Sequence, residues 1–102
     1  MENIQNLIDS YIEECNQKHR EYNKLHFPNL PENYNEFSYT KGKVWIRIFN
    51  SAMGQKSVHA FIDPQTGDMY MPASYNTPAK GIRGNLNNEK KPIFSRDFYK
   101  RL

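Results

Sequence analysis

The chain has 102 residues, with 14 Lys plus Arg against 11 Asp plus Glu and a formal charge of +3; that length suits one domain and excludes a multidomain enzyme. Leu, Ile, Val and Phe contribute only 21 residues, near the level at which chains stay unfolded, but the net charge is small and fourteen aromatic rings, each able to bury about 150–250 Å², supply apolar area. These numbers predict a folded domain with a thin core that gains from a partner subunit, and they exclude a strong non-specific polyanion binder.

The N-terminal Met1-Glu2-Asn3-Ile4 lacks the basic start and apolar stretch of a signal peptide, and the chain has no run of 18 apolar residues, so a cytosolic protein is expected. Ile4, Leu7, Ile8, Tyr11, Ile12, Cys15 and Tyr22 follow the spacing of one helical face and predict a helix over 1–25. Acidic Glu2, Asp9, Glu13 and Glu14 precede basic Lys18, Arg20 and Lys24, which complements the helix dipole. The helix should end before Phe27-Pro28, and the stretch from Pro28 to Glu36, with two prolines and three asparagines, reads as a connector. The single Cys15 has no disulfide partner and reads as a small buried hydrophobe.

From Phe37 the period changes to two, so antiparallel strands are expected over 37–72. Lys43 to Asn50 alternates Val44, Ile46 and Ile48 with Trp45, Arg47 and Phe49; Ser57 to Asp63 alternates Val58, Ala60 and Ile62 with His59 and Phe61. Ser51 to Lys56, with Gly54, reads as the connector between them. Asp63-Pro64-Gln65-Thr66-Gly67-Asp68 has the Pro-early, Gly-late order of a hairpin loop, and a strand from Asp68 to Met71 follows, Met69 and Met71 joining the aliphatic side. Residues 73–94 read as a basic binding loop, with a short strand near Ile82, and 95–102 as a short tail helix. The fold class is therefore α+β: a long N-terminal helix packed on a small antiparallel sheet, with a loop-rich C-terminal part.

Little catalytic chemistry is legible. His19, His26 and His59 lack zinc-motif spacing, and Cys15 with His19 is an i, i+4 pair without further ligands, so neither metal nor cofactor is expected. Asp63 and Asp68 read as turn residues, and no nucleophile elbow, phosphate-binding loop or dinucleotide fingerprint is present. What remains is a face of Trp45, Arg47, Phe49, His59, Phe61 and Tyr70, which an oligomer interface, a ligand or the C-terminal loop must cover. An arginine among rings can stack on a base and reach a phosphate. The loop from Ala79 to Asn85 adds Lys80 and Arg83 beside Gly81 and Gly84, with Asn85 at its end, and Tyr75-Asn76-Thr77 adds a ring with amide and hydroxyl groups. Together they describe a nucleotide pocket without a catalytic group.

The stretch Ser57 to Asn85, SVHAFIDPQTGDMYMPASYNTPAKGIRGN, carries a His-aromatic strand, a D-x-x-x-G-D hairpin and then A-S-aromatic-x-x-P-A-K-G-x-R. In this it resembles the phage anti-Thoeris sponge family. The resemblance implies a non-enzymatic immune-evasion protein of the infected bacterial cytoplasm. It would bind, without cleaving, a cyclic ADP-ribose isomer made by TIR-domain enzymes, such as glycocyclic ADP-ribose, and so block the Thoeris effector. It also implies homo-oligomers built from dimers, some holding cyclic trinucleotides at a second site. Residue by residue, the family's pocket arginine falls on Arg83 and its stacking ring on Phe61, with Arg47, Tyr75 and Asn76 as further placements; a second site would draw on Arg20 and Thr77. Tyr75 departs from the tryptophan common at that position, which keeps the stacking but shrinks the platform. Two other readings stand beside this one: a single-stranded nucleic-acid or other nucleotide-binding module of a phage, against which the modest charge argues, and an enzyme using His59 as a base.

Overall fold

The computed structural model describes residues 4–31 and 33–99; residues 1–3 of the expected helix and 100–102 of the expected tail lie outside them. Helix α1 spans Ile4–His26. Its apolar stripe buries Ile8, Tyr11 and Cys15, with Ile4, Leu7 and Ile12 packed alongside. Basic Lys24 and His26 occupy the last turn, where the exposed carbonyls favour positive charge. Pro28, which has no N–H to continue the helix, follows the Phe27 amide bonded to the Asn23 carbonyl.

Five strands follow in an antiparallel meander, ordered as in sequence: β1 Glu36–Lys41, β2 Ile46–Ala52, β3 Gln55–Ile62, β4 Asp68–Tyr70 and β5 Gly84–Asn85. The α+β class is as expected. β2 and β3 run closer together than expected, because Met53 and Gly54 turn the chain in two residues, both with positive φ (52° and 76°). That is the mirror-image turn whose twist matches a hairpin. At the next hairpin the Asp63 carboxylate accepts the Gln65 and Thr66 amides and Gly67 adopts φ 79°, so Asp63 and Asp68 act as turn residues.

Alternation through the strands sets the two faces of the sheet, and Ile46, Ile48, Ala60, Ile62, Met69 and Phe37 meet α1. Val44 does not join them. It precedes β2 and is 66% exposed, because Gly42 and Trp45 close a turn there instead of extending the strand. The second correction concerns β3. The register shifts between Ile48 and Phe49, so that Ile48 faces Ala60 while Phe49 faces Val58, and the extra residue is His59. This bulge inverts the alternation beyond it: His59 turns into the core against Phe37 and Phe98, and Val58 pairs with Phe49.

The C-terminal part is less loop-like in its packing than its prolines and glycines suggest. Leu86, Ile93 and Phe98 are buried in the same core as the helix stripe. The edge strand β5 lies so close to the returning chain that a Cβ on Gly84 would fall 2.6 Å from Pro92 Cδ. A short 3-10 helix, Ser95–Tyr99, follows, and the Asp97 carboxylate accepts the Ile93 and Phe94 amides ahead of it.

Candidate functional site

The face of the sheet turned away from α1 is built by register. Thr40 pairs with Arg47, Arg47 with Phe61, and Phe61 with Tyr70, so these four form one cross-strand row. Trp45 closes the row at one end, its ring edge-on to Phe61 (6.2 Å) and Tyr70 (5.4 Å). Aromatic rings so arranged shield one another from water. Phe61 is consequently 1% exposed. So buried, its ring has no open face on which a base could stack, against its expected role as a stacking platform.

The accessible part lies further along β2. The Arg47 guanidinium sits 5.5 Å from the Phe49 ring and 5.2 Å from the Tyr75 ring, and its Nη1 donates to the Tyr75 carbonyl (3.4 Å) and the Asn76 side-chain oxygen (3.2 Å). Phe49 and Tyr75 are in ring contact at 5.9 Å. On the other strand of the hairpin Lys56 places its Nζ 4.5 Å from the same Phe49 ring. A groove of about 360 Å³ opens here, lined by Lys56, Ser57, Val58 and the segment from Pro72 to Tyr75. Among the described residues the ion pair is Lys18 with Glu14 on the helix, and none joins Arg47 or Lys56 to a carboxylate. Tyr75 is 54% exposed, so its ring is available to a flat partner.

Three expected contacts, Arg47, Tyr75 and Asn76, thus meet. The others disperse. Lys80 is exposed beside Gly81, whose φ of 99° makes the bend in the loop. Arg83 donates its backbone amide to the Met69 carbonyl at the sheet edge, and its side-chain Nε is buried without a partner; no described contact joins it to the Arg47 group. Asn85 is committed to the turn, donating to the Thr66 carbonyl and the Asp68 carboxylate while its oxygen accepts the Asn87 amide. Arg20 lines a separate helix-surface groove of about 490 Å³ with Glu13, Asn16, Gln17, Glu21 and Lys24. Thr77 closes a turn by accepting the Ala73 and Ser74 amides, and it shares no described contact with Arg20. Lys56 was not anticipated, because the residues around Gly54 read as a connector; its spacing two residues before Val58 was the available signal.

His59 lies on the far side of the sheet from this groove. Tyr11 donates its hydroxyl proton to the Pro92 carbonyl, so the 2.9 Å contact between the Tyr11 oxygen and His59 Nε2 requires the proton on Nε2. Burial, reinforced by repulsion from His19, pushes the His59 imidazole down to about 3. Burial also lowers His19, whose Nδ1 donates to the Cys15 carbonyl, and pushes the Cys15 thiol up to about 12. Cys15 is the inert buried thiol expected of it. His59 as a base at the ring-lined face is overturned by this placement. Among the described residues no three His, Cys, Asp or Glu side chains gather as a metal site would need, and no helix is long and apolar enough to cross a membrane.

The architecture is that of a small α+β protein, one long helix against an antiparallel meander, with a groove on the sheet's opposite face lined by Lys56 and Tyr75, the Arg47 guanidinium lying against the Tyr75 ring. The chain belongs to a family described as "Family of unknown function (DUF7717)", which matches residues 1–98. No curated protein and no solved structure matches it.

Proposed function

We propose that the protein binds a small phosphorylated nucleotide in the groove beside Tyr75 and retains it unchanged. The observation that carries this reading is the Arg47 guanidinium, held against Phe49 and Tyr75 by hydrogen bonds to the Tyr75 carbonyl and Asn76, without a carboxylate partner. A guanidinium so oriented offers its remaining N–H groups to phosphate oxygens, and an exposed ring beside it offers a stacking surface for a base. The groove volume lies within the range of about 300–1,000 Å³ typical of small-ligand sites.

The resemblance of Ser57 to Asn85 narrows the ligand to a TIR-generated cyclic ADP-ribose isomer, glycocyclic ADP-ribose among them. On this reading the protein acts as a sponge in the cytoplasm of an infected bacterium: binding withdraws the signal before the Thoeris effector meets it. The thin core and the dimer-built assemblies of the resembled family support a homo-oligomer. Sponging is an affinity problem, and a Kd near 10 nM corresponds to about −11 kcal/mol, within reach of stacked rings and charged hydrogen bonds.

The test is to incubate the protein with the product of a bacterial TIR-domain enzyme, wash, heat, and identify what is released by mass spectrometry. Intact cyclic ADP-ribose isomer released from the wild type, and none from Arg47→Ala or Tyr75→Ala, supports the reading. A degraded product, or no retained nucleotide, overturns it.

A further inference from the structure

The turn that carries Tyr75 is fastened to the sheet at few points. Residues 73–77 are all exposed, so none of them is rooted in the core. At its neck Pro72 bridges Pro78; neither proline has an N–H, so the neck is closed by the Ala73 amide on the Thr77 carbonyl and the Ala79 amide on the Met71 carbonyl. The bonds from the Ser74 amide to the Thr77 carbonyl and from the Asn76 amide to the Ser74 hydroxyl stay inside the turn. Beyond the neck, the described hydrogen bonds and ring contacts that reach the sheet end on two residues of β2. Arg47 Nη1 donates to the Tyr75 carbonyl (3.4 Å) and the Asn76 side-chain oxygen (3.2 Å), with the guanidinium 5.2 Å from the Tyr75 ring, and Phe49 touches that ring as well. The segment from Pro72 to Tyr75 forms part of the lining of the groove of about 360 Å³, with Lys56, Ser57 and Val58 of β3 supplying the rest; Arg47 does not line it.

We infer that Arg47 is a positioning residue: it latches the Tyr75 turn onto β2 and thereby sets the width of a groove that it does not itself line. This rests on the nucleotide-binding reading above and deepens it, because the task is performed in the free protein, before any ligand arrives. A turn already held in place loses little freedom on binding, and the apparent affinity falls in proportion to the fraction of molecules in which the turn is closed. The guanidinium suits this work. Its planar fork lies on a ring while donating from its edge, which the compact ammonium of a lysine cannot do. Its stem is fixed in turn, since Arg47 stands within β2 between Thr40 and Phe61 on the neighbouring strands.

The experiment measures amide hydrogen exchange residue by residue by NMR in the free protein, together with retention of the TIR-enzyme product, for wild type, Arg47→Lys and the double variant Arg47→Lys with Asn76→Asp. In Arg47→Lys the Ala73 and Ser74 amides should exchange about tenfold faster, as expected when hydrogen bonds from a charged donor are lost. The Gly67 and Leu86 amides, which close the neighbouring hairpin, should keep their wild-type rates and report an intact fold. Adding Asn76→Asp gives the ammonium a carboxylate to hold, so exchange should slow again and retention recover with it. A residue that only lends charge to the ligand requires the reverse, because the new carboxylate would neutralise it. Unchanged exchange at Ala73 and Ser74 in Arg47→Lys overturns the positioning role. So does retention that falls further in the double variant, or acceleration spread equally over Gly67 and Leu86. Faster exchange confined to the turn, in a protein whose wild type retains no TIR-enzyme product, supports the latch and removes only the nucleotide-binding reading.

Discussion

The Tyr11 hydroxyl and the His59 imidazole meet at 2.9 Å in the middle of the core, one from the helix and one from the bulge in β3. The same hydroxyl donates to the Pro92 carbonyl, so three separate parts of the chain are joined at one oxygen. Replacing Tyr11 by Phe keeps the ring but leaves the His59 N–H and the Pro92 carbonyl buried without partners. A loss of about 1–3 kcal/mol is expected. In a domain of this size each kcal/mol lowers the melting temperature by roughly 4–8 °C, a shift that thermal denaturation followed by circular dichroism would resolve.

Acid should weaken the fold through the buried imidazoles. His59 has its folded value pushed down to about 3, mainly by burial, and His19 is lowered by the same cause. The unfolded chain, with imidazoles titrating near about 6.5, binds more protons than the folded one wherever the pH lies between those values. Stability from this source is complete above about pH 7 and is lost as the pH falls towards 3. Urea midpoints should be level between pH 7 and 8 and decline from pH 6 to 4, with a shallower decline in His59→Gln. A wild-type midpoint that stays level down to pH 4 would contradict the placement of these rings.

Met53 holds a left-handed backbone (φ 52°) at the tip of the β2–β3 hairpin while its side chain is 83% exposed. A side chain in that region costs about 1–2 kcal/mol relative to residues that tolerate it. Met53→Asn should therefore stabilise the protein by about 1 kcal/mol without altering ligand retention, since the turn lies outside the groove lining. Chemical denaturation of the variant checks this directly.

Arg83 gives a test of opposite sign for stability and binding. Its Nε is buried without a partner, and an unsatisfied donor costs about 1–3 kcal/mol. Arg83→Met should leave the melting temperature of the free protein unchanged or raise it. Retention of the TIR-enzyme product should fall if that nitrogen serves the ligand, as the resemblance implies. A variant that is less stable and binds normally would assign Arg83 to the fold alone.

The helix and the Asp63–Asp68 hairpin were legible because local chemistry specifies them: an apolar stripe from Ile4 to Cys15 in one case, and proline, glycine and a carboxylate that bonds its own turn in the other. The facing of Val58 and His59 was not, because an alternating pattern carries no mark of a bulge and one inserted residue inverts everything beyond it. Lys56 was hidden for a related reason. The two-residue turn at Met53-Gly54 lets both strands run through a segment that reads as connector. Arg47, Tyr75 and Asn76 were each recognisable as candidate residues, but their meeting depends on contacts across 28 and 29 positions. Likewise, the prolines and glycines of the C-terminal part describe its backbone correctly and say nothing of Leu86, Ile93 and Phe98 filling the core.

The bond from Tyr11 to Pro92 spans 81 positions. A contact across that separation must close a long loop before burial repays the lost chain entropy, so docking of the Pro92 segment onto the helix is expected to belong to a slow, cooperative step of folding rather than to a local one.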